Sequence, residues 1–340
     1  MSVTARQAGK AYTDIRHLFV INPHSFSAGI EQVRADIAQC GVRHDIHVSR
    51  YPRDAVAVVH RYIEGVPPET GVRVYAMGGD GILFDCLNGL VGFPNAELTS
   101  VPYGKSNDFV RAFGENALQR FLDIQSLLHA PSRPIDIIHC GSNYAINQVG
   151  LGLEGQASID AGAFFRHSRS KWIKPFTGEI YTLASLRTLF IEEVMRQEYR
   201  VLLDGEEYSG RYFDIKVTNG ACSGGDMVIN PYAIPDDGLL EVIFGLPCST
   251  AAVIHLLRDY TKGYFEKYDK IFFQRRFRKL ELSSAMPIRV HMDGEAFYTD
   301  ELKVEIVPGG VRFFAPEGLD FLDYRHRAYK ANTKKGGDGR

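Results

Sequence analysis

The sequence predicts two parts with different folds: an N-terminal α/β domain built on a parallel sheet, and a C-terminal antiparallel β-sandwich domain. Strand-like and helix-like segments alternate up to about residue 133, as they do in parallel sheets flanked by helices. After that point, short strand-like segments separated by Gly, Asn and Asp turns predominate, as in a sandwich or barrel. The length of 340 residues leaves room for two hydrophobic cores.

The segments of the N-terminal domain follow one another in a regular order. The predicted strands are residues 17–21, 45–48 and 71–77, and the predicted helices are residues 30–40, 53–62 and 82–91. A helix follows each strand, which favours parallel strands whose carboxyl ends meet at one edge of the sheet. Ligands of such sheets bind beyond those carboxyl ends.

The C-terminal domain is assigned from its strand-like runs and two helical intervals. The predicted strands are residues 135–139, 143–149, 200–203, 212–218, 239–244, 279–282, 288–291, 302–307 and 311–314. The predicted helices are residues 174–198 and 249–268. The final residues, 329–340, are rich in Lys and Gly and are expected to be disordered.

Composition excludes several classes of protein. The net charge of −2 gives no overall attraction to nucleic acid, so no nucleic-acid partner is expected. No apolar run reaches the roughly 18–20 residues of a membrane span, and residues 1–14 lack the apolar core of a secretory signal. The five cysteines are scattered without C-x-x-C spacing, which argues against a zinc site or a disulfide framework. These observations predict a cytoplasmic protein.

A glycine-rich turn, formed by Gly78, Gly79, Asp80 and Gly81, stands between the third strand and the helix after it. Glycines at such a junction let backbone N–H groups approach an anion, and the helix N-terminus adds partial positive charge. Neither G-x-G-x-x-G nor G-x-x-x-x-G-K-[ST] is present. The turn alone is equally consistent with a phosphate loop and with a tight structural turn.

A second turn follows within about twenty residues, at Gly104, Lys105, Ser106, Asn107 and Asp108. Together the two turns resemble the patterns GGDGTxxEVxNGL and PLGTGNDFARAL of the diacylglycerol kinase catalytic domain family. The chain also matches the family in order at residues 21–25, 219–227, 231–240 and 292–295. The resemblance therefore extends from about residue 18 to about residue 316, and includes related sphingosine kinases and the wider NAD kinase-like superfamily.

The resemblance implies an ATP-binding domain at residues 14–133 and about 315–328, a β-sandwich domain for substrate and Mg²⁺ at residues 134–314, and an active site in the cleft between them. By the same resemblance, the residues expected near the nucleotide are Asn22, Pro23, Ser49, Gly78, Gly79, Asp80, Gly81, Lys105, Ser106, Asn107 and Asp108. For Asn107 and Asp108 the alternative is capping of the helix that begins directly afterwards.

Three positions depart from the family pattern. Ile82 replaces a threonine, Asp85 replaces a glutamate, and Lys105 replaces the threonine of the second loop. Lys105 could bind phosphate through its charge and so compensate for the lost hydroxyls. The alternative, an exposed lysine on a loop, is equally consistent with the sequence.

An acidic turn in the second half of the chain contains Asp236, Asp237 and Gly238. Oxygen ligands on a turn suit Mg²⁺, which keeps several waters and needs few protein groups. The resemblance implies Asp237 and the main-chain carbonyls of Ile234 and Leu239 as the ligands. A plain type I turn, in which Asp is favoured, is the alternative.

Glu295, in the run Asp293-Gly294-Glu295, is the proton acceptor that the resemblance implies, with Asp293 beside it. A carboxylate near an alcohol can orient it and accept its proton as the bond to phosphorus forms. Asp80 is the rival, because related sphingoid kinases carry a catalytic aspartate in the glycine loop. The resemblance also assigns supporting roles to Asp136 and Lys174. A second Asp-Gly-Glu, at 204–206, is interpreted as a hairpin turn.

The function that these motifs predict is an ATP- and Mg²⁺-dependent lipid kinase, with diacylglycerol as the acceptor and phosphatidic acid as the product. A kinase of a soluble hydroxyl compound, like the NAD kinases, and a non-catalytic nucleotide or lipid sensor are the alternatives. The lipid would be met at a membrane surface. Residues 161–176 interleave aromatic and basic side chains, which suits peripheral contact with the inner membrane face as well as it suits a half-solvated helix. The sequence does not determine the oligomeric state, and a homodimer is one of the states that it allows.

Overall fold

The computed structural model describes residues 12–26, 29–114, 116–167, 177–225, 227–322 and 324. Lys174, most of the basic and aromatic segment, and the tail 329–340 lie outside these residues. The chain forms two compact units. The first contains the described residues up to Ile137 together with Pro235–Gly238 and Val307–Leu322, and the second contains Ile138–Ile234 and Leu239–Ile306.

The first unit is built on a parallel sheet. Its elements in chain order are β1 (Ile15–Ile21), α1 (Glu31–Ala38), β2 (His44–Val48), α2 (Asp54–Glu64), β3 (Gly71–Gly78), α3 (Asp80–Leu90), β4 (Ala96–Pro102), α4 (Asp108–Arg111), α5 (Ala117–Phe121) and α6 (Ile124–Leu128). β1 pairs in parallel with both β2 and β3, and β3 pairs in parallel with β4. The three predicted strands and three predicted helices are confirmed within a few residues, whereas β4 is a strand that the sequence did not predict.

The core of the first unit follows from the composition of its central strands. β3 is buried at every position except Arg73, because helices cover both faces of a parallel sheet and its strands are therefore nearly continuous apolar runs. The rings of Phe19 on β1 and Tyr75 on β3 stack with their centroids 4.3 Å apart. This packing makes the sheet a rigid base for the loops at its edge.

The second unit is antiparallel. Its elements are β5 (Ser132–Cys140, which starts in the first unit), β6 (Asn143–Ala145), β7 (Gln148–Gly152), α7 (Leu153–His167), α8 (Thr177–Thr188), α9 (Glu192–Met195), β8 (Gln197–Leu203), β9 (Glu206–Glu207), β10 (Gly210–Tyr212), β11 (Asp214–Thr218), β12 (Cys222–Ser223), β13 (Met227–Val228), β14 (Leu240–Gly245), α10 (Thr250–Tyr260), β15 (Phe272–Phe277), β16 (Lys279–Met292) and β17 (Glu295–Phe314). Neighbouring strands run in the order β15-β14-β11-β7-β16-β17. The predicted α/β and antiparallel β architectures are both confirmed.

Two of the strands are longer than the sequence predicts. The predicted strands 279–282 and 288–291 form one strand, β16, whose register against β17 shifts between Ser283 and Ile288. Segments 302–307 and 311–314 likewise belong to β17. β17 continues beyond the second unit, and its last residues pair in parallel with β4 through Arg312 and Phe313. The sequence predicts domain limits after residues 133 and 314. In the structure the compact units divide after residues 137 and 306, and β5 and β17 each belong to both units.

The helices of the second unit pack on its sheet through a separate apolar cluster. Leu189, Phe213, Ile243 and Leu256 are among its buried side chains. Among the helices that the structure describes, none has the length and apolarity needed to cross a bilayer.

Candidate active site

Four loops of the first unit lie at the carboxyl edge of its parallel sheet. Because β1 to β4 are parallel, the residues that follow them, including Asn22, Ser49, Gly79 and Lys105, lie at the same edge. β1 stands between β2 and β3, so the chain moves to one side of β1 for β2 and to the other side for β3. Such a reversal opens a crevice between strand ends, which is the usual ligand site of open α/β sheets.

The two glycine-rich turns at this edge contact each other directly. The N–H of Gly104 donates to the carbonyl of Gly78 over 2.9 Å. A Cβ atom at Gly104 would lie 2.2 Å from the Cα of Gly79, so only glycine permits this approach. The N–H of Asp108 donates to Asp80 Oδ1 over 2.8 Å. The two turns therefore form one continuous backbone surface.

The structure excludes helix capping by the side chain of Asn107, and contact of Asn107 and Asp108 with a nucleotide stays a prediction. Asn107 precedes α4 in a left-handed conformation, with φ 51°, and its side chain makes no capping hydrogen bond. Its amide Nδ2 donates instead to the carbonyl of Gly104 over 2.7 Å, and its buried Oδ1 has no hydrogen-bond partner among the described residues. Capping at α4 comes from Asp80, a contact that the sequence does not reveal.

The residues after β1 and β2 use their polar groups locally. Asn22 Oδ1 accepts from the N–H of His24 over 3.1 Å, and Pro23 begins the short 3₁₀ turn Pro23–Ser25. The N–H of Ser49 donates to the carbonyl of Ile21 over 2.8 Å, and its hydroxyl donates to the carbonyl of Tyr51 over 3.3 Å. These residues shape the edge of the crevice, and their contact with a nucleotide stays a prediction.

The departures from the family pattern have clear structural positions. Ile82 is buried, with its Cγ2 2.9 Å from where a Cβ on Gly78 would be, so this position packs inward. Asp85 is also buried and accepts from the N–H of Arg53 over 3.2 Å and from its guanidinium over 3.4 Å. Lys105 is exposed on the second turn, and Ser106 is half-buried. Nothing in the sequence pointed to Arg53, whose left-handed conformation, with φ 68°, precedes α2.

Asp136 holds the acidic turn in place. Its carboxylate accepts from the N–H of Gly238 over 2.7 Å and from the N–H of Gly309 over 2.8 Å. Burial raises the pKa of Asp136, and the nearby Asp237 and Asp236 raise it further, against these two N–H groups. Asp136 is therefore an anchor for the turn.

The predicted metal ligands surround this turn. Asp237 is exposed on it, and Ile234 and Leu239 flank it in the sequence. No group of three or more His, Cys, Asp or Glu side chains that could hold a metal occurs among the described residues. The predicted set is different in kind, since it consists of one carboxylate and two carbonyls, a hard oxygen set that fits Mg²⁺.

The Asp293-Gly294 turn in the second unit joins β16 to β17. Met292 pairs with Glu295, and the two residues between them have φ of 43° and 100°, as a two-residue hairpin turn requires. The carboxylate of Asp293 accepts the backbone N–H groups of three successive residues, Ile146, Asn147 and Gln148, over 2.6, 3.1 and 2.8 Å. Burial raises the pKa of Asp293 to about 6, although these three bonds favour the charged form.

Asp293 and Glu295 thus differ in their surroundings. Asp293 is buried and fully engaged with backbone donors, whereas Glu295 is half-buried on the first position of β17. The geometry favours an anchoring role for Asp293 and leaves Glu295 as the carboxylate that can meet a substrate. The other Asp-Gly-Glu forms the hairpin between β8 and β9, in which Leu203 pairs with Glu206, and that interpretation is confirmed.

Comparisons with known proteins agree with this architecture. Residues 16–140 match the diacylglycerol kinase catalytic domain, and residues 156–315 match the YegS C-terminal NAD kinase beta sandwich-like domain. The N-terminal part of the chain is thus similar to one kinase domain, and the C-terminal part is similar to a domain of a related kinase family. The resemblance expected from the sequence, to the diacylglycerol kinase catalytic domain and to the NAD kinase-like superfamily, is confirmed.

Similar proteins and solved structures cover most of the chain. A protein from Shewanella frigidimarina named "Probable lipid kinase YegS-like" is 27% identical over 284 residues, which are 82% of this chain and 86% of the relative. A protein of the same name from Pseudomonas aeruginosa is 28% identical over 304 residues, 88% of this chain and 94% of the relative. The crystal structure of a diacylglycerol kinase from Bacillus anthracis shares the fold, with a TM-score of 0.64, 17% identity and coverage of 92% and 100%.

The contact between the glycine turns gives a direct test of the nucleotide site. We expect Gly104→Ala to force the two turns apart, at a cost of about 1–3 kcal/mol of stability, and to weaken ATP binding by at least about tenfold. Isothermal titration calorimetry with ATP and thermal unfolding would measure the two effects.

Gly65→Ala is the control, because Gly65 is exposed at the end of α2 and has an ordinary helical φ of −80°. It should leave unfolding unchanged and ATP binding within about threefold. Normal ATP affinity in Gly104→Ala would show that the nucleotide does not use this surface.

Proposed function

We propose that this protein is an ATP-dependent lipid kinase that transfers the γ-phosphoryl group of ATP to a lipid hydroxyl, with diacylglycerol as the acceptor and phosphatidic acid as the product. The observation that carries the proposal is the joined pair of glycine turns at the switch point of the parallel sheet. It supplies what phosphoryl transfer needs first, a backbone surface that positions phosphates. The names of the YegS-like relatives support a lipid as the acceptor.

The roles of the carboxylates follow from what each already contacts. Asp80 uses one carboxylate oxygen to accept the N–H of Asp108, so its first task is to join the two turns. Asp293 is engaged with three backbone donors. In this proposal Glu295 is the proton acceptor, because Asp293, the other carboxylate of the motif, already holds the turn. A general base must reach the proton that it removes, which favours a half-exposed side chain.

Mg²⁺ is proposed to bind the carboxylate of Asp237 with the carbonyls of Ile234 and Leu239. The ion would neutralise charge on the phosphates during transfer. Asp136 supports this turn through Gly238, and its second bond to Gly309 fixes the turn against β17. The two backbone bonds explain how an acidic residue is accommodated at this buried position.

Contact with a membrane is proposed from an exposed stripe on α8. Leu183 is 68% exposed, and Phe190, just after the helix, is 77% exposed. Arg187 lies one turn after Leu183 and is paired with Asp160 over 3.5 Å. Apolar side chains beside a cation suit the interface of an anionic bilayer, where the apolar side chains insert and the cation stays at headgroup level. The proposed location is the cytoplasm, with contact at the inner membrane face.

The stripe can be tested with vesicles of phosphatidylglycerol and phosphatidylcholine. We expect the double variant Leu183→Ser, Phe190→Ser to bind them at least about fivefold more weakly, because it removes two apolar side chains from the interface. Tyr298→Ser, which removes a 54% exposed ring from β17, is the control and should bind normally. Equal binding by all three proteins would remove α8 from the membrane contact.

The kinase proposal is tested with radiolabelled ATP, Mg²⁺ and acceptors offered one at a time: diacylglycerol in vesicles, other lipids with a free hydroxyl, and NAD in solution. Phosphatidic acid is the expected product. The NAD kinase-like β-sandwich of the second unit makes a soluble acceptor the second candidate. A water-soluble product without vesicles would favour that candidate, and ATP binding with no transfer to any acceptor would reject both.

Glu295→Gln should lower turnover at least about a hundredfold, as expected when a general base is removed. The change keeps the shape of the side chain, so its unfolding temperature should stay close to that of the wild type. Glu301→Gln, at an exposed position of the same strand, is the matched control and should keep full turnover. Wild-type turnover in Glu295→Gln would remove this residue from the mechanism.

Lys105 is proposed to bind the ATP phosphates in place of the family threonine. Lys105→Ala should then raise the KM for ATP, with a loss in kcat/KM of about 1.5–3 kcal/mol for one charge-assisted contact. The KM for the lipid should stay nearly unchanged. Lys270→Ala, at another exposed lysine, is the control for a general effect of charge. An unchanged KM for ATP in Lys105→Ala would show that the side chain only faces solvent.

A further inference from the structure

We propose that His291 is a positioning residue for Glu295: its imidazole holds the Asp293-Gly294 turn through the N–H of Gly294, and the Glu154–Lys216 ion pair holds the imidazole. The inference rests on the proposed role of Glu295 as proton acceptor. All of the residues that carry it belong to the second unit. None of the sequence motifs pointed to Glu154, Lys216 or His291.

The turn that carries Glu295 is held at both of its residues. Asp293 is fixed by the three backbone donors at Ile146, Asn147 and Gln148, described above. Gly294 is fixed separately, because its N–H donates to Nε2 of His291 over 3.0 Å. Because both residues of the turn are held, the backbone leaves the turn at Glu295 in one fixed direction.

The bond to Gly294 determines which nitrogen of His291 carries the proton. A backbone N–H can only donate, so Nε2 must offer its lone pair, and a neutral ring then has its proton on Nδ1. Nδ1 lies 3.4 Å from Glu154 Oε1. The carboxylate therefore stands where it stabilises the tautomer that the turn requires, in the way that a carboxylate orients a catalytic or metal-bound imidazole.

Glu154 is itself fixed and ionised. Its Oε2 lies 2.9 Å from Nζ of Lys216, and its Oε1 accepts from Gln148 Nε2 over 3.2 Å. Burial opposes the charge, but the Lys216 ammonium and the His291 ring outweigh it and lower the pKa of Glu154 to about 2. Asp214 stands beside the same lysine, and burial, together with the charge of Glu154, raises its pKa to about 7. The ion pair with Lys216 and the bond from Gln148 both favour the charged form of Glu154.

The strand register makes room for this arrangement. Gly150 on β7 is the cross-strand partner of both Lys216 on β11 and His291 on β16. Direct partners share one face of a sheet, so the two side chains flank the glycine. A Cβ atom at Gly150 would lie 2.1 Å from Glu154 Oε2. The carboxylate occupies the space that a side chain at this position would fill, between the lysine and the histidine.

A structural role alone explains this cluster poorly. Buried ion pairs contribute little to stability, since the cost of removing both charges from water offsets their attraction. Apolar residues of similar volume would fill the same space at least as stably. The ion pair of Glu154 and Lys216 instead fixes one tautomer and one orientation of the His291 ring, which holds the turn.

Two substitutions of His291 separate positioning from packing. In His291→Gln the side-chain amide can place an acceptor near the former Nε2, whereas in His291→Asn it reaches only the former Nδ1. We expect His291→Gln to keep kcat within about threefold, and His291→Asn to lower kcat by roughly ten- to a hundredfold, the range that a displaced catalytic group produces. The KM for ATP should change in neither variant. Equal kcat values for the two variants would overturn the proposal.

A second measurement does not depend on kinase activity. In the full-length protein, amide hydrogen exchange at Gly294 and Glu295 should accelerate in His291→Asn and stay slow in His291→Gln. Nitrogen NMR of the wild type should show His291 with its proton on Nδ1. His255→Asn, at an exposed histidine on α10, is the control and should change neither measurement.

The experiments on Glu295 and on His291 test the proton-acceptor role of Glu295 and the positioning role of His291 separately. If Glu295→Gln keeps full turnover while the exchange and tautomer results are as expected, the role of Glu295 fails and the hold on the turn stands. If His291 carries its proton on Nε2, or if exchange is the same in both variants, the positioning role fails whatever the activity of Glu295→Gln.

Discussion

The contact of Gly104 with Gly79 is the constraint on which the architecture of the first unit depends. Two turns that follow different strands can share a surface only if neither carries a Cβ atom at the point of contact, and the N–H of Gly104 then reaches the carbonyl of Gly78. β3 and β4 are paired neighbours in the sheet, which brings the turns that follow them together.

Three carboxylates in this protein hold turns. Asp80 joins the two glycine turns, Asp136 anchors the acidic turn, and Asp293 anchors the turn that precedes Glu295. In each case a carboxylate accepts backbone N–H groups from a segment distant in sequence. This arrangement suits a phosphotransferase, since loops that position phosphates and acceptor must keep their shape while charge develops on the reacting groups.

These contacts decide some of the alternative interpretations that the sequence left open for individual residues. Capping of α4 belongs to Asp80, and the side chain of Asn107 serves the second turn instead. Ile82 is packed inward, which explains how the chain dispenses with a hydroxyl at that position. The acidic segment does form a turn, and the role of Asp237 as a Mg²⁺ ligand stays a prediction.

The sequence by itself determined the elements and the turns. The apolar run at 71–77, the glycines after it and the Asp-Gly pairs at 204–205 and 293–294 each specify their conformation within a few residues. Only the tertiary structure decided what these turns contact. Asp80 meets Asp108, and His291 meets both Gly294 and Glu154, because strands far apart in sequence become neighbours in a sheet. It likewise made β16 and β17 continuous, since pairing with adjacent strands overrides the local breaks at Ser283 and Pro308. Periodicity and turn chemistry act over a few residues, whereas the partner of a buried polar group depends on strand order and register, which no short segment encodes.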